Sequence, residues 1–262
     1  MTNYHGVDSN TSPQSDSCTD DFYIGEMGMG SVQGDSWVYN SSLNICFGNI
    51  GNTGNTDTNA KFLIDRNRQN TYGYWFILGP KFANPDSTQS SYTCSSGRRI
   101  NGYSSHAVNT LQDAHDWGMQ QGTAAVDAWL SYPNIRKKTI FGDVENTDSG
   151  WYNSADGNIN GINWCEFNNQ VIIGFIDGVN ERVGASGFVG IYSSPGEWRT
   201  ITNDQLPLNN YTSHVWVASW PRNNTETNCL PSWTPPKIGG ADAEIWQYHG
   251  NPDLNEATSL PN

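Results

Sequence analysis

The sequence predicts an α/β protein built as a single TIM-type (β/α) barrel, not strictly regular, with long loops at the C-terminal face of its strands. Three observations carry this expectation. Short strand-like apolar runs alternate with amphipathic helical stretches, the pattern of a mostly parallel sheet. The chain begins and ends on strand-like runs, which favours a sheet closed on itself. At 262 residues, with no internal repeat and no dividing linker, residues 1–262 suit one domain, because such barrels run near about 250 residues.

Taken in order, Tyr4-His-Gly-Val-Asp8 is a short apolar opening that ends in an acid. Asp21-Phe-Tyr-Ile-Gly-Glu-Met27 and Tyr72-Gly-Tyr-Trp-Phe-Ile-Leu-Gly79 are strand-like and break at glycine. Between them lie a Gly/Asn/Ser-rich stretch and a short helix expected over 59–70. Ala107, Leu111, Ala114, Gly118, Gly122, Ala125 and Trp129 recur at helical steps, with glycines placed for close packing. The next strand centres on Thr139-Ile-Phe141. Ile172, Ile173, Ile176, Val179 and Val183 mark a second long helix, followed by a strand over Gly187–Tyr192 and a short helix from Pro195. His214–Trp220 and Ala243–Tyr248 are the last two strand-like runs, and Pro252-Asp-Leu-Asn255 follows them.

The chemistry concentrates in Gly142-Asp-Val-Glu145. Residues two apart on a strand share a face, so Asp143 and Glu145 project together, about 6.5–7 Å apart along the backbone. Paired acids at the C-terminal end of a buried strand match the way α/β barrels present reacting groups. Two neighbouring carboxylates repel, and the repulsion can keep one protonated near neutral pH. A neutral acid beside an ionised one is the minimum apparatus for cleaving a glycosidic bond. A hard-cation site at the same acids is the competing reading, but it needs more converging oxygens, and no metal or other cofactor is expected.

Composition excludes other classes. The formal net charge of −13 disfavours nucleic acid and anionic membrane, which need Lys and Arg to meet phosphate. Low overall charge with abundant Asn, Ser, Thr and Gly suggests a secreted, extracellular protein, and a monomer is expected. No stretch resembles a signal peptide or a membrane span, so a leader would have preceded Met1. Cys18, Cys46, Cys94, Cys165 and Cys229 lack zinc-type spacing; one or two disulfides are expected, with at least one thiol left over. There is no Gly-x-Ser-x-Gly elbow, P-loop or dinucleotide fingerprint. Loops near 84–103, 146–168 and 221–242 carry Tyr92, Tyr103, Trp151, Tyr152, Trp164 and Trp233, which could wall a sugar-binding groove or pack the loops down.

Six segments, in order, resemble glycoside hydrolase family 25, the N-acetylmuramidase lysozymes, and related glycoside-hydrolase-like barrels. They are His5-Gly-Val-Asp8, Gly73-Tyr-Trp-Phe76, Gly142-Asp-Val-Glu145, Gly190-Ile-Tyr-Ser-Ser194, Trp216-Val-Ala-Ser219, and Ile245-Trp-Gln-Tyr248 with Asp253-Leu-Asn255. The resemblance implies hydrolysis of an amino-sugar polysaccharide such as peptidoglycan. It implies Glu145 as general acid, Asp143 beside it, and Asp8 and Asp253 completing an acidic ring. Tyr192, Tyr248, Trp75, Trp216 and Trp246 are the candidate sugar contacts. Retention through a carboxylate or through the substrate's acetamido group is left open. The sequence departs from the family where Ser9-Asn-Thr-Ser-Pro13 replaces Ser-x-(Tyr/Trp)-Gln-Gly and where Trp75 replaces a common His. Those departures keep a carbohydrate-binding barrel with weak or no turnover as the alternative.

Overall fold

A computed structural model describes residues 4–9, 21–29, 32–33, 37–40, 45–48, 70–83, 108–132, 135–146, 149–220, 234–250 and 253–262. The strands, in chain order, are β1 (Tyr4–Ser9), β2 (Phe22–Met29), β3 (Val32–Gln33), β4 (Trp37–Asn40), β5 (Ile45–Gly48), β6 (Asn70–Phe76), β7 (Ile140–Asp143), β8 (Asn158–Ile159), β9 (Ile162–Asn163), β10 (Val189–Ser193), β11 (His214–Ala218), β12 (Ile245–Gly250) and β13 (Asp253–Ala257). The helices are α1 (Pro80–Ala83), α2 (Leu111–Ser131), α3 (Trp164–Val183) and α4 (Pro195–Thr202). The helix expected over 59–70 lies, but for Asn70, outside the described residues.

One nine-stranded sheet runs β1-β13-β12-β11-β10-β7-β6-β2-β3, and β1 also pairs with β2. Leaving out the short β3, which hangs on β2, the other eight strands close a ring. Every pairing from β1 through β2, β6, β7, β10 and β11 to β12 is parallel. The exception is β13, antiparallel to both β12 and β1. The barrel is therefore the expected TIM-type α/β fold with one reversed strand, a strand that the polar run Asp253-Leu-Asn-Glu256 did not announce.

Strand alternation gives the barrel two apolar faces. Inward residues include Phe22, Ile24, Tyr72, Tyr74, Phe141, Tyr192 and Trp216, which form one buried cluster. Edge-to-face pairs bind it: Tyr72–Phe141 at 5.8 Å, Phe141–Trp216 at 5.7 Å and Tyr74–Trp216 at 6.2 Å between ring centres. The outward residues belong to a second, larger cluster with the helices. There α2 and α3 pack so closely that a Cβ on Gly118 would lie 2.1 Å from the Val171 carbonyl oxygen, and one on Gly174 2.0 Å from that of His115. Only glycine permits that approach of the two helices.

The helix boundaries follow from caps. Thr110 accepts from Asp113 N while the Asp113 carboxylate accepts from Thr110 N, a reciprocal capping box. Asn163 caps α3, and Gly184, in the left-handed conformation, ends it. No helix among the described residues is long and apolar enough to cross a membrane.

Three of the candidate sugar contacts fall in the outward cluster. Trp75, at 0% exposure, lies in it, as do Trp246 and Tyr248. Each sits one position out of phase with an inward neighbour on its strand: Tyr74 beside Trp75, and Gln247 between Trp246 and Tyr248. All three are buried core groups on the outward side of the barrel wall. Cys165 is a buried free thiol; the side chains of the other four cysteines fall outside the described set.

Candidate active site

The four acids expected together are brought to one mouth of the barrel by strand ends. Asp8 closes β1 on its inward face, and Asp143 ends β7, in register with Tyr192 of β10. Glu145 follows two residues later on the same side. Asp253 opens β13, and because β13 is reversed its first residue lies at the end where the parallel strands finish. The reversed strand is thus what places Asp253 and Asn255 beside Asp8.

The backbone around the pair is anchored. Ile77 N donates to Asp143 O at 2.9 Å, and Val144 N donates to Tyr192 O at 2.9 Å. The Glu145 carbonyl accepts from Trp151 Nε1 at 2.8 Å and from the Ser149 hydroxyl. Trp151, expected as a possible groove wall, is buried and holds the acid's backbone instead. Tyr152 packs edge-on against Phe167 at 5.8 Å, with the Lys81 ammonium 5.3 Å from its ring centre. Trp164 is half-buried and opens α3. Tyr92, Tyr103 and Trp233 lie outside the described residues.

Asp8 is 8% exposed and receives three N–H bonds. Gln247 Nε2 donates to its two oxygens at 3.0 and 3.1 Å, and Asn255 Nδ2 donates at 2.6 Å. Behind these amides, Tyr192 donates its hydroxyl to Gln247 Oε1 at 2.9 Å, and Trp216 Nε1 donates to Asn255 Oδ1 at 2.8 Å. Tyr192 and Trp216 are therefore brought to the site, Tyr192 at the pocket itself and Trp216 as a support below it.

Sequence reasoning missed Glu26, Glu197 and Trp220. Glu26 shares the inward face of β2 with Phe22 and Ile24 and is buried; an acid ending an apolar alternation was its available signal. Glu197, in the first turn of α4, accepts from Asn146 N at 2.9 Å and so ties the helix to the loop after Glu145. Trp220 is 54% exposed, donates to Gln247 Oε1 at 3.3 Å and covers Gly250. It offers an open aromatic face at the rim, a surface suited to a sugar ring.

Buried among so many acids, the carboxyls resist ionisation. Burial pushes Asp8 up to about 6, offset by its bonds from Asn255 and Gln247. Burial, then Glu197 and Asp8, push Glu145 up to about 7, offset by the Tyr192 hydroxyl, which favours the carboxylate. Burial, then Asp8 and Glu145, push Asp253 to about 7. Asp143 is raised well above the carboxylate range, first by burial and then by Glu145 and Glu26. Its Oδ1 is buried without a hydrogen-bond partner. The ion pairs of Lys81, Arg182, Arg199 and Lys237 are all made with other acids. No group of three or more His, Cys, Asp or Glu among the described residues is arranged to hold a metal ion. The arrangement can hold a neutral acid and a carboxylate at once near neutral pH.

No family model and no curated protein matches this chain. Solved structures similar to it include a glycoside hydrolase family 25 lysozyme from Aspergillus fumigatus, at 15% identity and a TM-score of 0.46, covering 98% of this chain and 95% of that one. A muramidase from Acremonium alcalophilum is similar at 14% identity and a TM-score of 0.47, covering 98% of this chain and 94% of that one. The catalytic domain of an endolysin from a Listeria monocytogenes bacteriophage is similar at 15% identity and a TM-score of 0.47, with the same 98% and 94% coverage.

Proposed function

We propose that the protein is a secreted, monomeric glycoside hydrolase that cleaves an amino-sugar-containing polysaccharide, bacterial peptidoglycan foremost, with Glu145 as general acid. One observation carries this reading. Asp8, Asp143, Glu145 and Asp253 meet at one mouth of the barrel, where burial and mutual repulsion raise all four, so that protonated and ionised carboxyls can coexist near neutral pH. Glycosidic cleavage needs that pair: a proton for the leaving oxygen and negative charge beside the developing oxocarbenium ion. Glu145 supplies the proton. Asp8 supplies fixed charge or the nucleophilic oxygen, its charge and that of Glu197 disfavour ionisation of Glu145, and Asp143 sits beside Glu145. The rim indole of Trp220 gives the sugar a platform, and Tyr192 lines the floor. The choice of an amino-sugar polymer rests on the six ordered segments of the sequence.

Digestion of purified peptidoglycan and of chitin-type oligomers, with mass analysis of the products, tests this. New reducing ends from one of them, lost in Glu145→Gln, are expected. Binding without release of reducing ends across both would replace the enzyme with a carbohydrate-binding barrel.

A further inference from the structure

We propose that Glu197 is a positioning residue for the general acid: its carboxylate clamps the backbone immediately after Glu145 and sets a fixed negative charge beside it. This rests on the reading of Glu145 as the proton donor and names a residue of another element that serves it.

The clamp shows in a helix cap that is only half closed. Ser194-Pro-Gly-Glu197 has the Ser-x-x-Glu pattern, in which the serine accepts from the third helical N–H and the glutamate reaches back to the serine N–H. Ser194 Oγ does accept from Glu197 N, at 3.1 Å. The Glu197 carboxylate goes elsewhere, and its Oε2 accepts from Asn146 N at 2.9 Å. On α2 the same device is closed, with Thr110 and Asp113 serving each other. Glu197 is thus spent on the chain that carries the acid rather than on its own helix.

The same junction of β10 and α4 holds the other side of Glu145. Ser193 Oγ donates to Val144 O at 2.7 Å, and Val144 N donates to Tyr192 O at 2.9 Å. Between these points the Glu145 carbonyl accepts from Trp151 Nε1 and the Ser149 hydroxyl. With the backbone fixed before and after it, the Glu145 carboxyl moves only through its own side-chain torsions.

The bond to Asn146 also brings a charge. Glu197 lies in the first turn of α4, where unpaired N–H groups favour an anion. Arg199, the basic residue of α4, is turned to Asp204 at 3.0 Å and leaves that charge in place. Burial is the first cause that keeps Glu145 protonated, and Glu197 is the first of its charged neighbours, ahead of Asp8 on β1. Tyr192 on β10 acts the other way, and Asp143 on β7 and Asp253 on β13 also face this acid. Asp8, Asp143 and Asp253 themselves resist ionisation, so their charges fade as Glu145 takes up its proton. Glu197 stands outside that buried group, half-buried at a helix end.

The test is titration of Glu145 by NMR in protein carrying 13C-labelled Glu side chains, its signal assigned with Glu145→Gln. Glu197→Gln keeps an oxygen for Asn146 N and removes the charge, so Glu145 should titrate lower by about one pH unit. The alkaline limb of kcat/KM should move to lower pH with it. Glu197→Ala removes charge and acceptor together. Glu145 should shift the same way there, and the Asn146 amide should exchange its hydrogen about tenfold faster, while staying protected in Glu197→Gln. A glutamate that only tied α4 to the loop would leave Glu145 unmoved in Glu197→Gln; that result, or an upward shift, overturns the proposal. Unchanged exchange in Glu197→Ala overturns the clamp, and Glu197→Gln decides alone if the alanine variant does not fold. If the shifts occur but the wild-type protein hydrolyses nothing, the clamp and its charge stand and the hydrolase reading falls. Hydrolysis with an unmoved Glu145 gives the reverse.

Discussion

Replacing Glu145 with glutamine probes electrostatics and chemistry in one variant. Burial, then Glu197 and Asp8, raise this carboxyl from 4.5 to about 7. The folded protein therefore binds the proton more tightly than the unfolded chain. The stability this contributes is complete below about pH 4.5 and is lost as the pH rises through 7. A rise of roughly 2.5 pH units, at about 1.4 kcal/mol each, sets the loss on the order of 3 kcal/mol by pH 8. Glutamine matches the shape and does not titrate. Glu145→Gln should thus equal the wild type in stability at pH 4 and exceed it by about 2–3 kcal/mol at pH 8. For a chain of this size that is roughly 5–10 °C in Tm. Urea and thermal unfolding at the two pH values measure it. Equal effects at both would show an unshifted carboxyl, and a loss at pH 8 one that is ionised and favourably held; either refutes the reasoning. The same variant should lose about 10²–10⁴ in hydrolytic rate.

Hydrolysis should show a bell-shaped pH dependence with limbs near the Asp8 value of about 6 and the Glu145 value of about 7; a rate that keeps rising through pH 9 would exclude Glu145 as the acid. Gly174→Ala drives a Cβ against the His115 carbonyl at 2.0 Å and should cost at least about 2 kcal/mol in urea unfolding. A cost below ~0.5 kcal/mol would mean that α2 and α3 separate easily. Trp220→Ala removes the rim platform and should raise KM by about 2–10-fold, a stacking contact being worth ~0.5–1.5 kcal/mol. An unchanged KM would leave that ring without a role in binding.

The parts of this fold legible in the sequence were those with a single physical reading. Apolar runs ending in Asp8 and Asp143 mark strand ends, and the small-residue spacing of α2 marks a helix pressed on another. Trp75, Trp246 and Tyr248 were not legible. Both faces of a parallel barrel are apolar, so a hydrophobic strand conceals which side is inward. Glu26 was hidden for the converse reason, as an acid within a run that otherwise reads as core. The strand β13 was hidden because Asp253, Asn255 and Glu256 are weak strand formers. Only the gap between β1 and β12 makes them one. Trp220 reads as the end of a strand, and no local pattern specifies its exposure.

The strand β13 also has a consequence for how the protein comes into being. Asp8 depends on Gln247 and Asn255, separated from it by 239 and 247 positions. The first acid of the pocket is thus desolvated and held only when almost the last strand arrives between β12 and β1. Contacts of such separation make closure a late event in folding. Ribosome-bound chains and fragments stopped before Asp253 would lack the barrel seam and the Asn255 donor to Asp8. Synthesis and activation are thereby ordered in time: the pocket assembles on completion of the strand that seals it, and no partial chain carries it.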